Sequence, residues 1–450
     1  MSKRISAVFL SLFLFSTFCT VVYGGAFQLY SESSAEALSL GGSVIGRPGM
    51  LSNAWYNPAS TSTIETPSLM AGASGLLLHM DYSSELGNAK MQKRLRPTGY
   101  FYGILPLEND LTLTLSVNAP YGMITEWDND WVESTLATYT NLRCIYFTPN
   151  LVWKATDELS FAAGINLVYG TARIAKNIPT EEQAAQLNQQ AIPGIPVYSI
   201  PGNNKVYLSA DAFGIGYTLS TFYQPHEDWN FGLTYQSSVK LKFDGDAKYR
   251  HKGEYKSNYE GMIPPEMVPP PLYIRNGGGK TDIELPASLG FGVANTSFDK
   301  LTLSFDAVWT EWSSYDRLKI KMKRMPYNES PNQKGYTDKK KDWSDVWSLR
   351  LGASYDLNEN WVLRCGYMYD KSPDNDKYRT PEMPDSDRNM VSLGFGYMKD
   401  HWGLDFAYSY LKLRNSRAGR YATDASDNFK NSGKFGGDLH IVAAAVKYMF

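Results

Sequence analysis

Strict alternation of apolar and polar residues, repeated in block after block up to an aromatic C-terminus, constrains this chain more than any other feature. Leu111, Leu113, Leu115 and Val117 alternate without error with Thr112, Thr114, Ser116 and Asn118. In the closing segment 440–450, the even positions from Val442 onward are apolar and end in Tyr448 and Phe450; the odd positions are mixed and include Lys447. Period two is the side-chain period of a β-strand. One such block fits any half-buried strand. A long series of them fits a closed membrane wall, in which one face of every strand meets lipid and the other meets the lumen.

A longer block runs from Trp229 to Phe243. Trp229, Phe231, Leu233, Tyr235, Val239, Leu241 and Phe243 share one face, and Asn230, Thr234, Gln236, Ser238, Lys240 and Lys242 share the other. A lysine on the lipid face at mid-bilayer costs roughly 2–4 kcal/mol, so the polar face is expected to point inward. Fourteen such strands are expected, at 66–84, 94–105, 110–120, 138–155, 158–174, 206–224, 227–243, 281–297, 299–322, 339–357, 358–372, 387–399, 400–413 and 436–450. Tight turns such as Thr156–Asp157 and Asn358–Glu359 alternate with long polar segments such as 175–205, 244–280, 323–338 and 414–435. Short turns on one side and long loops on the other are the organisation of an outer-membrane barrel. A soluble β-solenoid needs neither that alternation nor an aromatic end.

The N-terminus reads as a secretory signal over 1–24: Lys3 and Arg4, an apolar stretch from Ile5 to Val22, and a cleavage site after Gly24. No later run is long and apolar enough for a membrane helix. The 31 tyrosines suit membrane interfaces, and a net charge of −2 gives no reason to expect nucleic acid. Cys144 and Cys365 lie in separate strands and are expected to be buried as small apolar residues. Residues 25–65 do not alternate. They are rich in small residues and contain Asn57, Pro58 and Ala59. A fourteen-strand wall encloses more space than its own side chains fill, so this segment is expected to plug the lumen, with the barrel over 66–450. None of the five histidines sits in a catalytic signature, no Gly-x-Ser-x-Gly elbow is present, and no metal-ligand cluster or cofactor motif is visible. These absences argue against an outer-membrane lipase or acyltransferase, and the plug argues against an open aqueous porin. An adhesin or receptor role for the long loops stays open.

The order and spacing of several segments resemble the FadL/TodX-type outer-membrane transporters for long-chain fatty acids and aromatic hydrocarbons. The segments are Gly25 to Leu29, Asn57-Pro58-Ala59, Pro120 to Trp127, Leu285-Pro286-Ala287, Trp312 to Tyr315, and Trp361 to Arg388. The resemblance implies an all-β, fourteen-stranded antiparallel transmembrane barrel with an N-terminal hatch, in the outer membrane of a Gram-negative-type bacterium. It implies passive import of a hydrophobic small molecule, a fatty acid first and an uncharged aromatic second. It also implies an apolar internal pocket and lateral exit at a kinked third strand. Outer-membrane lipid is the expected surrounding partner, and a monomer the expected state.

Site residues follow from the two readings together. Phe27 and Leu29 are either pocket contacts or ordinary plug packing. Pro120 cannot donate to a sheet ladder, so Pro120, Tyr121 and Gly122 mark either the kink or the start of a loop. A carboxylate head group needs a cation, because an unpaired buried charge is costly. Lys319 is the first candidate: the apolar positions change from odd (Leu301, Leu303, Phe305, Trp309) to even (Trp312, Leu318, Ile320), and a bulge between them would turn Arg317 and Lys319 inward. Arg173 is the second, although its parity matches outward-facing Phe161, Ile165 and Tyr169. The proline-rich segment 262–272 either lines an external groove or is a stiff loop, and 181–191 is helix-prone.

Overall fold

In a computed structural model, the described residues are 27–28, 30, 33–178, 198–199, 201, 204–269, 271–322, 335–417 and 433–450. The expected signal segment, Leu29 and the helix-prone stretch 181–191 lie outside them. Every wall strand pairs antiparallel with its sequence neighbour, and the first, Ser68–Ser84, pairs with the last, Lys434–Met449, from Ser68 opposite Met449 to Ser83 opposite Lys434. The described residues therefore form a closed fourteen-stranded barrel. Closure removes the unpaired edges that lipid cannot solvate. The turns between strands two and three, four and five, and onward in pairs are short, and the intervening connections are long.

The alternation read from sequence is the alternation of exposure. Leu113, Phe147, Leu151, Ile165, Ile215 and Leu393 lie on the exposed outer face, while Thr114, Thr148, Asn150, Asn166 and Ser392 are buried inside. Trp153, Phe161, Tyr223, Trp229, Tyr355, Trp361 and Trp402 stand exposed beside the short turns, as an aromatic girdle at that interface requires. Cys144 is buried, but Cys365 is exposed on the outer face. Lipid and lumen packing both accept a small apolar thiol, so composition alone could not separate them.

Four adjacent strands are broken at one height. The seventh is Trp229–Gln236 then Val239–Tyr249, the eighth Gly277–Leu285 then Ser288–Phe298, the ninth Leu301–Thr310 then Arg317–Met322, and the tenth Gly335–Lys340 then Val346–Asp356. The segments on the short-turn side have 8, 11, 10 and 11 residues, close to the roughly 9–11 that cross the bilayer. Beyond its break the seventh strand reverses its faces. Trp229 and Leu233 point outward below, whereas Val239, Leu241 and Phe243 are buried above, and Lys240 and Lys242 are exposed. The inward orientation expected for these lysines is thus corrected. Two residues, Ser237 and Ser238, drop out of the ladder, and past the apolar belt an outward lysine meets water.

Residues 33–64 are almost wholly buried inside the wall. The helix Ala35–Ser39 is capped by Ser34, whose side chain accepts from the Ala37 amide. It is followed by Asn53–Tyr56 and a 3-10 turn, Pro58–Thr63, which starts with a proline where no N–H is needed. Wall glycines let this backbone lie flat against the strands: a Cβ at Gly366 would stand 2.1 Å from the Leu40 carbonyl carbon, and one at Gly232 2.1 Å from the Ile45 oxygen.

Candidate functional site

Polar groups of the inner wall hold the N-terminal segment. Asp306 Oδ2 accepts from the amides of Val44 (2.7 Å) and Ile45 (2.9 Å). Arg47 donates to Ser304 Oγ and Ser354 Oγ, both at 2.8 Å, and to the Thr302 carbonyl. Asn57 donates to the carbonyls of Ile45 and Thr221, and the Ala59 amide donates to Ser220 Oγ. Thus Asn57, Pro58 and Ala59 lie where the segment docks on the sixth strand. Glu36 pairs with Arg364 and Lys447 at 3.3 and 3.0 Å, and Asp405 pairs with the same two cations at 2.6 and 2.7 Å. Two buried cations against two carboxylates leave no uncompensated charge.

The third strand, Leu111–Glu126, stays paired with the fourth to its end, with a bulge between Asn118 and Tyr121 that contains Pro120. It leaves the second strand, Leu95–Pro106, earlier, since their ladder ends at Phe101 opposite Val117. The second strand nevertheless continues along the first as far as Leu95. Leu95–Tyr100 and Asn118–Glu126 therefore flank an interval without ladder bonds. From Asn118 to Thr125 every residue is buried, because the bulge tips this part of the strand into the lumen, where both faces are covered. Glu126 bridges the outer end of the interval to Arg96 at 2.6 Å and Arg94 at 3.2 Å. Phe27, Gln28, Ser33 and Ala35 line its inner side. The Gly122 amide donates to the Phe27 carbonyl at 2.7 Å, Gln28 bridges to Tyr121, the Ala35 amide donates to Tyr100 Oη at 2.8 Å, and the Tyr102 hydroxyl donates to the Ser33 carbonyl.

The Phe27 side chain is fully buried in an aromatic cage. Its ring centroid lies 4.7 Å from Trp312, 5.7 Å from Tyr315, 5.9 Å from Trp343 and 6.2 Å from Tyr121. The strand breaks supply this cage, Trp312 and Tyr315 from the ninth and Trp343 from the tenth. Such pairs contribute about 0.5–1.5 kcal/mol each beyond area burial.

Phe27 also lines a cavity of about 100 Å³, with a predominantly apolar lining that includes Met123, Leu142, Ile174, Leu318 and Ile320. Lys176, Lys339 and Lys341 also line it, against one carboxylate, Glu382. Glu382 belongs to the loop 371–387, which crosses to the third strand: Thr125 Oγ1 donates to the Glu382 carbonyl and Trp127 Nε1 to the Pro381 carbonyl. Lys339 pairs with Glu382, and Lys341 donates to Thr380 Oγ1 at 2.8 Å. Burial alone would raise the Glu382 carboxyl, but Lys339 and Lys341 outweigh it and hold it well below the usual carboxylate range. Deeper in the same loop, burial pushes Asp374 up to about 7, against the pull of Arg379 and Lys341. The result is an apolar cavity with more ammonium groups than carboxylates on its lining.

Lys319 is not among the lining residues. It is exposed and faces Asp338 in register, while Leu318 and Ile320 on the other face line the cavity. Even-numbered residues point inward on both sides of the break: Ser304, Asp306 and Val308 below, Leu318 and Ile320 above. No phase change occurs. The inner face becomes apolar where it borders the cavity, and that change of chemistry imitates a change of side. Arg173 is exposed, as its parity requires, and lines a shallow outer recess with Glu126 and Tyr139. Lys176 shares the inward parity of Ala172 and Ile174, which was the signal that could have singled it out.

A family described as outer membrane protein transport protein (OMPP1/FadL/TodX) matches residues 16–450. The chain belongs to this family. It is therefore an outer-membrane transport protein with a β-barrel fold. It is 25% identical over 431 residues to a long-chain fatty acid transport protein of Escherichia coli O6:H1 (strain CFT073), covering 92% of this chain and 93% of the relative. Its fold resembles a Pseudomonas aeruginosa FadL homologue (TM-score 0.71, 22% identity, 96% of this chain and 99% of that one). It also resembles the Pseudomonas putida toluene transporter TodX (TM-score 0.70, 16% identity, 95% and 100%).

Proposed function

We propose that this protein imports long-chain fatty acids passively across the outer membrane. The observation that carries this reading is the surplus of three lysines over one carboxylate on the lining of an otherwise apolar cavity. An acyl chain gains about 0.8 kcal/mol per buried methylene, so an apolar chamber holds it without polar recognition, although ordering costs remove part of that gain. The carboxylate pairs with Lys176, Lys339 or Lys341 in exchange for water. Lys319 and Arg173 remain outside this path.

In the same reading residues 25–65 act as a hatch. Release begins when the Phe27 ring leaves its aromatic cage and residues 27–28 peel from Tyr121 and Gly122. This uncovers the interval between strands two and three, through which the ligand leaves sideways. The bulge at Pro120 supports this route, since it keeps the ladder from closing. The fatty acid of the E. coli relative's name agrees with the charge of the cavity.

Equilibrium binding of a labelled long-chain fatty acid to the detergent-solubilised protein tests the reading. Saturable binding that weakens at least about tenfold in Lys341→Gln, with little competition by toluene, is expected, on the scale of one lost charge-assisted hydrogen bond. Absence of saturable fatty-acid binding to a folded barrel would sink it. The aromatic cage favours a second reading, in which an uncharged aromatic ligand takes the place of Phe27. Toluene binding insensitive to all three lysines would establish that reading instead.

A further inference from the structure

The seam where the first wall strand meets the last carries a constellation on its outer face. His79 stands directly opposite Asp438 in the ladder, and His440 lies two residues further along the same face. His79 Nδ1 is 2.9 Å from Asp438 Oδ1, and His440 Nε2 is 3.7 Å from the same oxygen. One ligand atom from each residue lies within 4.8 Å of the others, the only such group of three among the described residues. These side chains are about a quarter to a third exposed. His79, opposite Asp438, is the twelfth residue of its strand, at the outer margin of the roughly 9–11 residues that cross the bilayer, and His440, opposite Leu77, lies two residues nearer the short-turn side.

We propose that His79, Asp438 and His440 form a three-ligand site for a zinc-class divalent ion, with a fourth position left to water. Two imidazoles and a carboxylate match the borderline ligand preference of zinc, and a hard ion such as calcium takes oxygen ligands instead. Ligands about 2.0–2.2 Å from a tetrahedral ion stand roughly 3.2–3.6 Å apart, close to the separations found here. A hydrogen bond already orients one of the two imidazoles. Tyr408 Oη lies 2.8 Å from His440 Nδ1, so the ring is held with Nε2 turned toward Asp438. That is the arrangement by which metal-binding histidines are oriented. Lys412 Nζ, 3.7 Å from Asp438 Oδ2, is the competing cation. His79 and Asp438 are 359 positions apart in sequence, so the ion would cross-link the two strands whose pairing closes the barrel.

The test is calorimetric titration of the untagged, chelator-treated full chain in detergent with zinc chloride. Heat-modifiable electrophoretic mobility serves as the check that each variant is folded. One saturable site is expected, weakened more than about tenfold in His79→Ala, His440→Ala and Asp438→Asn and about tenfold in Tyr408→Phe, which keeps all three ligands. Lys412→Gln removes the competitor and is expected to tighten binding. Absence of saturable binding overturns the proposal. So does binding that survives His440→Ala and Asp438→Asn, as it would if zinc sat on the exposed Cys365 thiol.

Discussion

Replacing Asp306 by alanine should loosen the N-terminal segment without unfolding the wall. Asp306 is buried on the inner face of the ninth strand, and one carboxylate oxygen takes the amides of Val44 and Ile45 at 2.7 and 2.9 Å. A hydrogen bond to a charged group contributes about 1.5–3 kcal/mol, so losing both costs about 3–6 kcal/mol. At 1.4 kcal/mol per decade, the displaced population rises about 10²–10⁴-fold. Arg47, Asn57 and Ala59 keep their own wall bonds, so most molecules still hold the segment in place. Hydrogen exchange at 44–63 reports the local opening, and ion conductance in planar bilayers reports the unblocked lumen. Asp306→Asn retains a neutral acceptor and should fall between wild type and Asp306→Ala. Wild-type exchange and conductance in Asp306→Ala would refute the view that these two bonds anchor the segment.

Other outcomes follow from the same geometry. Phe27→Ala empties the aromatic cage at a cost of about 3–5 kcal/mol, and faster exchange at Gly122, whose amide bonds the Phe27 carbonyl, checks it. Gly366→Ala places a Cβ 2.1 Å from the Leu40 carbonyl carbon, so overpacking of about 1–3 kcal/mol should raise conductance while heat-modifiability stays normal. The loop 371–387 should loosen as pH rises. The Asp374 pKa is raised from 3.8 to about 7, so its contribution is full below 3.8 and lost as pH passes through about 7. Hydrogen exchange of this loop should show that transition, and Asp374→Asn should abolish it. Glu382 acts in the opposite sense. Its carboxyl is held low, so its stabilisation is present above its usual 4.5 and is lost on acidification through the folded value.

The wall was legible because its determinant is local. Backbone geometry gives every strand a period of two, and lipid on one side against a polar lumen on the other writes that period into residues such as 111–118. Turn and loop lengths then set the strand order, and antiparallel neighbours need no long-range information. The site was less legible for the same reason. Sequence parity reports which residues share a face, but not which face is inside once the inner surface itself becomes apolar. Leu318 and Ile320 therefore read as a reversal, which points to Lys319 and gives no sign of Lys176, Lys339 and Lys341. The break at Ser237 and Ser238, the passage of loop 371–387 over the cavity, and the meeting of His79 with Asp438 rest on contacts between distant segments. Closing the barrel decides such contacts, because only the closed wall fixes which distant strands become neighbours and what volume they enclose.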